Sequence, residues 1–172
     1  MLAPAIDRFS LVSLLRFFPV PLLQPILSLI GTQVARNEPD IFLRLGPHAQ
    51  KTFVIDPSDL PFVLVLRPRP DAPKLSAFRR AETPRADACI AGTFLNLFRL
   101  VDGSLDGDAL FFSRELRVSG DTEAVVALRN ALDDIDGGLV QAVTGAFGPL
   151  SPVAAMTVSH FRSLGGRSSH ER

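Results

Sequence analysis

The sequence predicts an α+β fold with five strands and several amphipathic helices. Two observations support this prediction: five short strand-like segments occur between residues 52 and 119, and amphipathic helical patterns precede, interrupt and follow them. The chain has 172 residues, of which 47% are apolar. That length and composition suit one domain with a substantial core and additional terminal segments.

The strand segments are recognised by their apolar patterns and by the turn residues between them. The second segment is apolar at every position, which indicates a strand covered on both faces. In the fifth, Leu116 and Val118 alternate with Arg117 and Ser119, the period of a half-buried strand. The stretch 68–85 is rich in proline and arginine and leaves the strand register there open. The predicted strands are 52–55, 62–66, 75–78, 88–91 and 116–119.

Helices are predicted before and within this pattern. Thr93 can cap one helix, and Asp121, which follows Gly120, can cap another. Two more are predicted after the last strand. The chain is therefore divided into an apolar N-terminal helical segment (1–38), a central domain (39–136), a C-terminal helical extension (137–166) and a disordered tail (167–172).

The N-terminal segment is strongly apolar over residues 9–30, but Arg16, Gln24 and three prolines interrupt the run. A membrane-spanning helix needs about 20 apolar residues, so we predict a helix over 21–36 that does not span. Two interpretations remain open: the helix packs on the domain, or it contacts lipid at a membrane surface. The membrane-contact candidates are Leu22, Leu23, Ile26, Leu27 and Ile30.

The composition argues against several functional classes. The formal net charge is zero, so nothing favours binding to nucleic acid. Cys89 is the only cysteine, which excludes an intramolecular disulfide and indicates a reducing compartment. Its place in a predicted strand suits a buried apolar role. The three histidines are scattered and no nucleotide or nucleophile motif occurs. We predict no catalytic residue, metal or cofactor, and no enzymatic activity.

Four pieces of the chain resemble the sterol carrier protein type 2 lipid-binding domain: 86–93, 108–113, 116–123 and 128–132. The resemblance covers about residues 40–136. Within that family, Leu-Phe-Phe at 110–112 and Gly-Asp-Thr-Glu at 120–123 resemble the UbiT-like branch of bacterial ubiquinone-biosynthesis accessory factors. The apolar N-terminal segment fits the same branch.

The resemblance implies a mainly antiparallel sheet with helices over it, enclosing an apolar tunnel. It also implies non-catalytic lipid handling by a cytoplasmic protein held peripherally at the bacterial inner membrane. The expected ligand is a polyprenylated quinone precursor or a phospholipid. The expected partners are the hydroxylating UbiU–UbiV pair and other ring-modifying enzymes of oxygen-independent ubiquinone synthesis.

Candidate tunnel residues are apolar and flank the cleft between the predicted sheet and its helices, although an ordinary core role for each stays open. They are Leu95, Phe98, Leu110, Phe111, Leu116 and Val118. Two alternative functions also stay open. One is a general lipid or sterol-type carrier, and the other is a protein-interaction module with a filled core and no lipid cargo.

Overall fold

A computed structural model of the chain describes residues 19–102 and 115–133. The predicted C-terminal extension and tail lie outside the described residues, as do residues 1–18 of the N-terminal segment. The helices are α1 (Val20–Asn37), α2 (Asp40–Leu45), α3 (Phe94–Asp102) and α4 (Thr122–Asp133). The strands are β1 (Phe53–Pro57), β2 (Phe62–Arg67), β3 (Lys74–Arg79), β4 (Ala88–Gly92) and β5 (Leu116–Gly120).

The five strands form one sheet in the order β3-β2-β1-β4-β5. Three neighbouring pairs are antiparallel, whereas β1 and β4 are parallel, with Phe53 opposite Ala88. The predicted α+β class and mainly antiparallel sheet are confirmed. The register left open by the prolines and arginines is regular, because β2 and β3 pair continuously from Phe62 opposite Arg79 to Arg67 opposite Lys74.

The described helices α3 and α4 pack on one face of the sheet, where the main core lies. Phe53, Ile90 and Leu116 from the sheet are buried there against Leu97 of α3 and Val125 of α4. The opposite face also carries buried side chains, among them Val54, Val63 and Val65. Strand β2 therefore contributes to both faces, in agreement with its unbroken apolar sequence.

Helix α1 covers the edge strand β3. Its Leu27 is buried in a cluster with Leu60, Phe62 and Ala77. The carboxamide of Gln24 donates from Nε2 to the Ala77 carbonyl oxygen at 2.6 Å and accepts from the Ala77 N–H at 3.4 Å. One side chain thus satisfies two main-chain groups of an edge strand, which would otherwise be available for pairing with another chain. Among the described helices, none is long and apolar enough to cross a membrane.

Asp121 joins the ends of several elements. Its N–H donates to the Asp87 carbonyl oxygen at 2.8 Å, just before β4. Its Oδ1 accepts the N–H of Ala124 at 2.9 Å, which caps α4 as predicted. Its Oδ2 accepts a hydrogen bond from Lys51 Nζ, and that ammonium lies 3.0 Å from His48 Nδ1. The start of α4 is therefore held to the segments that precede β1 and β4.

Gly120 allows the turn that places Asp121, and this generates a first prediction. Its φ is +78°, and an added Cβ would lie 2.4 Å from the Asp87 carbonyl oxygen. Gly46 also has positive φ, +52°, but nothing lies within 4 Å of its added Cβ. Gly46→Ala should cost about 1–3 kcal/mol of unfolding free energy through backbone strain, and Gly120→Ala clearly more through the added clash. Chemical denaturation of both variants checks this, and an equal cost would contradict it.

The contacts of Asp121 predict a pH dependence. The hydrogen bond from Lys51, followed by that from the Ala124 N–H, holds the pKa of the Asp121 carboxyl below its ordinary value of 3.8. A lowered pKa in the folded state stabilises the protein above the unfolded-state pKa, and this contribution is lost as the pH falls through the folded-state value. Asp121→Asn should therefore lower the urea midpoint at pH 7, and its deficit should shrink below about pH 4.

Urea titrations from pH 7 to pH 3 measure this effect, with Asp71→Asn as the control for loss of one exposed negative charge. A deficit of Asp121→Asn that stays constant down to pH 3 would show that the carboxylate charge contributes nothing.

Candidate functional site

An apolar cavity of about 130 Å³ lies between α1, α2, α4 and the helix-bearing face of the sheet. All of its described lining residues are apolar. They are Ile30, Gly31, Val34, Ala35, Ile41, Phe42, Leu45, Ile55, Leu66, Pro68, Leu75, Leu128 and Leu132. An engineered apolar cavity of roughly 150 Å³ stays dry and binds benzene. As it stands, this cavity is therefore large enough for a small apolar group rather than a complete lipid tail.

Helix α1 forms one wall of the cavity because its second half approaches the sheet closely. Ile30, Gly31, Val34 and Ala35 recur at the spacing of one helix face. A Cβ on Gly31 would lie 3.5 Å from the main-chain nitrogen of Leu75. The absence of a side chain at Gly31 therefore leaves space beside β3, where the helix passes over the strand.

A second, smaller cavity of about 30 Å³ lies under α3 and α4. Its described lining residues are Ile55, Ile90, Leu97, Leu100, Val125, Leu128, Arg129 and Leu132. Ile55, Leu128 and Leu132 line both cavities. The two spaces are therefore neighbours, and a single layer of aliphatic side chains separates them.

Arg129 is the one charged residue among the described lining residues of the smaller cavity, and the others are apolar. Arg129 Nε lies 3.3 Å from Asp133 Oδ2, one helical turn further along α4. The arginine side chain is 20% exposed and that of Asp133 is 41% exposed. The arginine side chain is thus the more buried member of the pair.

Two of the predicted tunnel residues lie in the main core. Leu116 is buried in the main cluster and Val118 packs against it. Leu95 is half-buried, and the ring of Phe98 is 6.4 Å from that of Phe94. None of these four predicted residues belongs to the described lining of either cavity. Leu110 and Phe111 lie outside the described residues. The assignment of these six residues to a lipid site stays a prediction.

The five membrane-contact candidates do not share one environment. Leu22 and Ile26 are 56% and 39% exposed, and Leu29, which was not predicted, is 41% exposed. In contrast, Leu23 packs on the core and Leu27 is buried in it. Ile30 lines the larger cavity. The signal for Leu29 was available in the sequence, because positions 22, 26 and 29 are spaced i, i+4 and i+7.

Helix α2 is an element that the sequence reasoning missed. It is short, and its buried side chains, Ile41 and Leu45, are one turn apart. The available signal was weak: Pro39 at the N-cap position, Asp40 in the first turn and Gly46 after the last residue. The helix matters because Ile41, Phe42 and Leu45 line the larger cavity.

Within 19–102 and 115–133, no group of three or more His, Cys, Asp or Glu side chains could hold a metal ion. Burial, and secondarily the charge of Asp56, raises the pKa of the Cys89 thiol, although a hydrogen bond with Ser119 acts in the other direction. The thiol is therefore protonated at neutral pH, and it lies on the sheet face opposite the cavities.

One solved structure shares this fold, and others are similar to the chain. A protein described as "UbiJ-SCP2 Ubiquinone synthesis protein" is 23% identical, with a TM-score of 0.53 over 67% of this chain and 93% of that one. Sterol carrier protein 2 from Yarrowia lipolytica, in its apo form, is 15% identical, with a TM-score of 0.45 over 60% and 83% of the two chains. A possible sterol carrier protein from Thermus thermophilus is 14% identical, with a TM-score of 0.48 over 77% and 90%.

Comparison of the sequence with curated proteins gives no match. A model of the SCP-2 sterol transfer family, however, matches residues 32–133, which contain all five strands, most of the cavity lining and Arg129. With more than half of its length matched and with the five-stranded sheet and covering helices described above, the chain belongs to the SCP-2 sterol transfer family.

Proposed function

We propose that the protein is a non-catalytic lipid-binding accessory factor of ubiquinone biosynthesis. The observation that carries this proposal is the apolar cavity between α1, α2, α4 and the sheet, in a chain of the SCP-2 family. A polyprenyl tail is insoluble in water, and burial of each CH₂ group contributes about 0.8 kcal/mol. Such a cavity can therefore hold part of the tail while the ring is presented to ring-modifying enzymes.

Two similarities support the assignment to ubiquinone biosynthesis. One is the structural similarity to a protein whose description names ubiquinone synthesis. The other is the sequence resemblance to the UbiT-like branch, carried by residues 110–112 and 120–123. On that second basis we propose a role in the oxygen-independent pathway, with a polyprenylated quinone precursor or a phospholipid as ligand and a UbiU–UbiV-type hydroxylase as partner.

A lipid chain longer than the cavity needs additional space, and α1 is the wall best placed to provide it. The helix lies over the edge of the sheet, and residues 30–35 are only half-buried. Its contact with β3 is anchored towards its first half by Leu27 and Gln24. Outward movement of the second half of α1 would enlarge the cavity without breaking the sheet.

We propose that the exposed stripe of α1, consisting of Leu22, Ile26 and Leu29, contacts the membrane. These side chains point away from the cavity wall formed by the same helix, so one helix separates the lipid surface from the lipid site. Contiguous exposed apolar surface of this kind is typical of membrane or protein contact sites. The protein would then work in the cytoplasm at the inner membrane.

A general lipid or sterol-type carrier is the second candidate. The observation that favours it is the described lining of the larger cavity, which is apolar throughout and offers no group that selects one ring or chain over another. The two candidates differ in the ligand that the native protein carries.

Filling the cavity tests lipid binding itself. Ala35→Phe places a large side chain in the space lined by α1, and we expect it to weaken binding of a fluorescent prenyl or acyl probe at least tenfold. Thermal stability should change little, because the added ring occupies space that is already empty. Ala72→Phe, at an exposed turn position, is the matched control and should bind as the wild type does. Unchanged binding by a folded Ala35→Phe protein would contradict the proposed site.

Charges on the exposed stripe test the membrane contact. The double variant Leu22→Glu and Leu29→Glu should stay folded and should lose binding to phospholipid vesicles in a flotation assay. Leu27→Glu is the contrasting variant: it places a charge in the core and should unfold the protein. Undiminished vesicle binding by the folded double variant would show that the stripe has another role, such as contact with a protein partner.

A further inference from the structure

We propose that a basic corner of the sheet docks the acidic surface of a partner protein. The basic corner consists of Arg67 at the end of β2, Arg69 in the turn that follows, Lys74 at the start of β3 and Arg85 shortly before β4. The inference goes beyond lipid binding, because it concerns a surface outside the described lining of both cavities.

The pairing of β2 with β3 brings two of these cations together. Arg67 is directly opposite Lys74, and both lie on the sheet face that carries Val63 and Val65. Like charges directly opposite each other in a sheet are destabilising. In the part of the chain that the structure describes, neither cation forms an ion pair. The sheet therefore contains an electrostatically unfavourable pair whose repulsion an anionic partner would relieve.

The segment that connects β3 to β4 brings Arg85 to the same end of the sheet. Just after Arg85, the N–H of Asp87 donates to the carbonyl oxygen of Thr52 at 2.9 Å. Thr52 is the residue before β1, and the register of β1 with β2 places it beside the end of β2. Arg85 therefore lies near the pair of cations formed by β2 and β3.

Two carboxylates lie at this end of the sheet and do not neutralise it. Asp71 is exposed in the turn, and Asp87 Oδ2 accepts the N–H of Thr52 at 2.7 Å. Among the described residues, neither carboxylate forms an ion pair with the basic corner. The four cations thus outnumber the carboxylates, and this excess of positive charge attracts an anionic surface.

The turn between β2 and β3 presents the charges on a restricted backbone. It has the sequence Pro-Arg-Pro-Asp-Ala-Pro over 68–73, and each proline fixes its own φ. Arg69 and Lys74 are exposed, and Arg67 is half-buried. A surface whose backbone is already ordered loses less conformational entropy when a partner binds, and arginine is enriched in protein interfaces.

The position of the corner favours a protein over a membrane as the source of negative charge. The exposed stripe of α1 points away from the larger cavity, and the sheet lies on the other side of that cavity. Because Arg67 and Lys74 lie on the far face of the sheet, a membrane in contact with the stripe is on the opposite side of the protein. Charges separated by more than a Debye length, about 8 Å at physiological ionic strength, are largely screened. This choice rests on the membrane contact proposed above.

A partner at the corner would be adjacent to the lipid site. Leu66, Pro68 and Leu75 line the larger cavity, and they neighbour Arg67 and Lys74 in sequence. The partner would thus bind beside the end of the cavity formed by β2 and β3, and the α1 wall would stay uncovered.

Fluorescence anisotropy of a fluorescein-labelled peptide of alternating Glu and Ala measures the binding of an acidic chain to the full chain at low ionic strength. We expect the double variant Arg67→Gln and Lys74→Gln to bind the peptide about fivefold more weakly than the wild type, and high salt should abolish the difference. Its stability to urea should not fall, because the like-charge pair has been removed. The matched control is Arg79→Gln and Arg117→Gln, which removes two exposed cations from the other end of the sheet and should bind as the wild type does.

Carbodiimide coupling then locates the bound peptide, because Lys51 and Lys74 are the only lysines of the chain. The reagent joins an amine to a carboxylate in contact with it. Lys51 already pairs with Asp121, so mass spectrometry of the coupled product should find the peptide on Lys74. Coupling only at another amine would overturn the assigned surface. If the first double variant does not fold, Arg69→Gln with Arg85→Gln, both at exposed positions, provides the same comparison.

Vesicles and RNA test the other anionic partners. Phosphatidylglycerol vesicles should lose binding to the stripe variant Leu22→Glu and Leu29→Glu and keep it with the corner variant, and the reverse result would overturn the inference in favour of a membrane surface. Tighter corner-dependent binding of oligouridylate than of the peptide would overturn it in favour of RNA. Equal peptide affinities of the corner and control variants would also overturn it. Failure to bind lipid would overturn the proposed function and leave the peptide result standing.

Discussion

The placement of α4 depends on Asp121, and both cavities depend on α4. The carboxylate caps the helix through the Ala124 N–H and pairs with Lys51, while the Asp121 N–H is bound by the Asp87 carbonyl oxygen. These contacts set where the helix begins over the sheet. From that start, Leu128 and Leu132 reach the boundary between the two cavities. A shift of α4 by one residue would rotate these leucines by about 100° and remove the shared wall.

Helix α1 has a different role in the structure, because one of its faces lines the larger cavity and the other is exposed to solvent. Its inner face closes the larger cavity, and its outer face leaves Leu22, Ile26 and Leu29 in solvent. Gln24 and Leu27 attach it to β3, and Gly31 leaves space where it passes the strand. The helix is thus anchored near the middle of the edge strand, and its half-buried residues 30–35 lie beside the cavity. This arrangement is consistent with the proposed outward movement of the second half of α1 to admit a longer lipid chain.

The local elements were predictable from local signals. All five strands were found from alternation and turn residues, and Thr93 and Asp121 were correctly identified as helix caps. The parallel pairing of β1 with β4 depends on contacts between distant segments, and no local pattern encodes it. Helix α2 was missed because six residues carry too little periodicity.

The cavity was harder to predict because its walls come from segments that are distant in sequence. Leu22, Ile26, Ile30 and Val34 follow one another at i+4 spacing in the sequence, but each step advances by about 40° around the helix. The first members of this series therefore lie in solvent and the last members line the cavity. The position of α1 on β3 determines where along the helix the exposed positions end and the cavity-lining positions begin. This position depends on tertiary packing.

The most direct measurement is organic extraction of the natively purified, detergent-free protein, followed by mass spectrometry of the extract. A polyprenylated phenol or quinone precursor in near-stoichiometric amount is the expected result. An extract that contains only phospholipid or fatty acid would contradict the ubiquinone role and would favour a general lipid carrier. An empty extract would contradict the central claim that this chain holds a lipid.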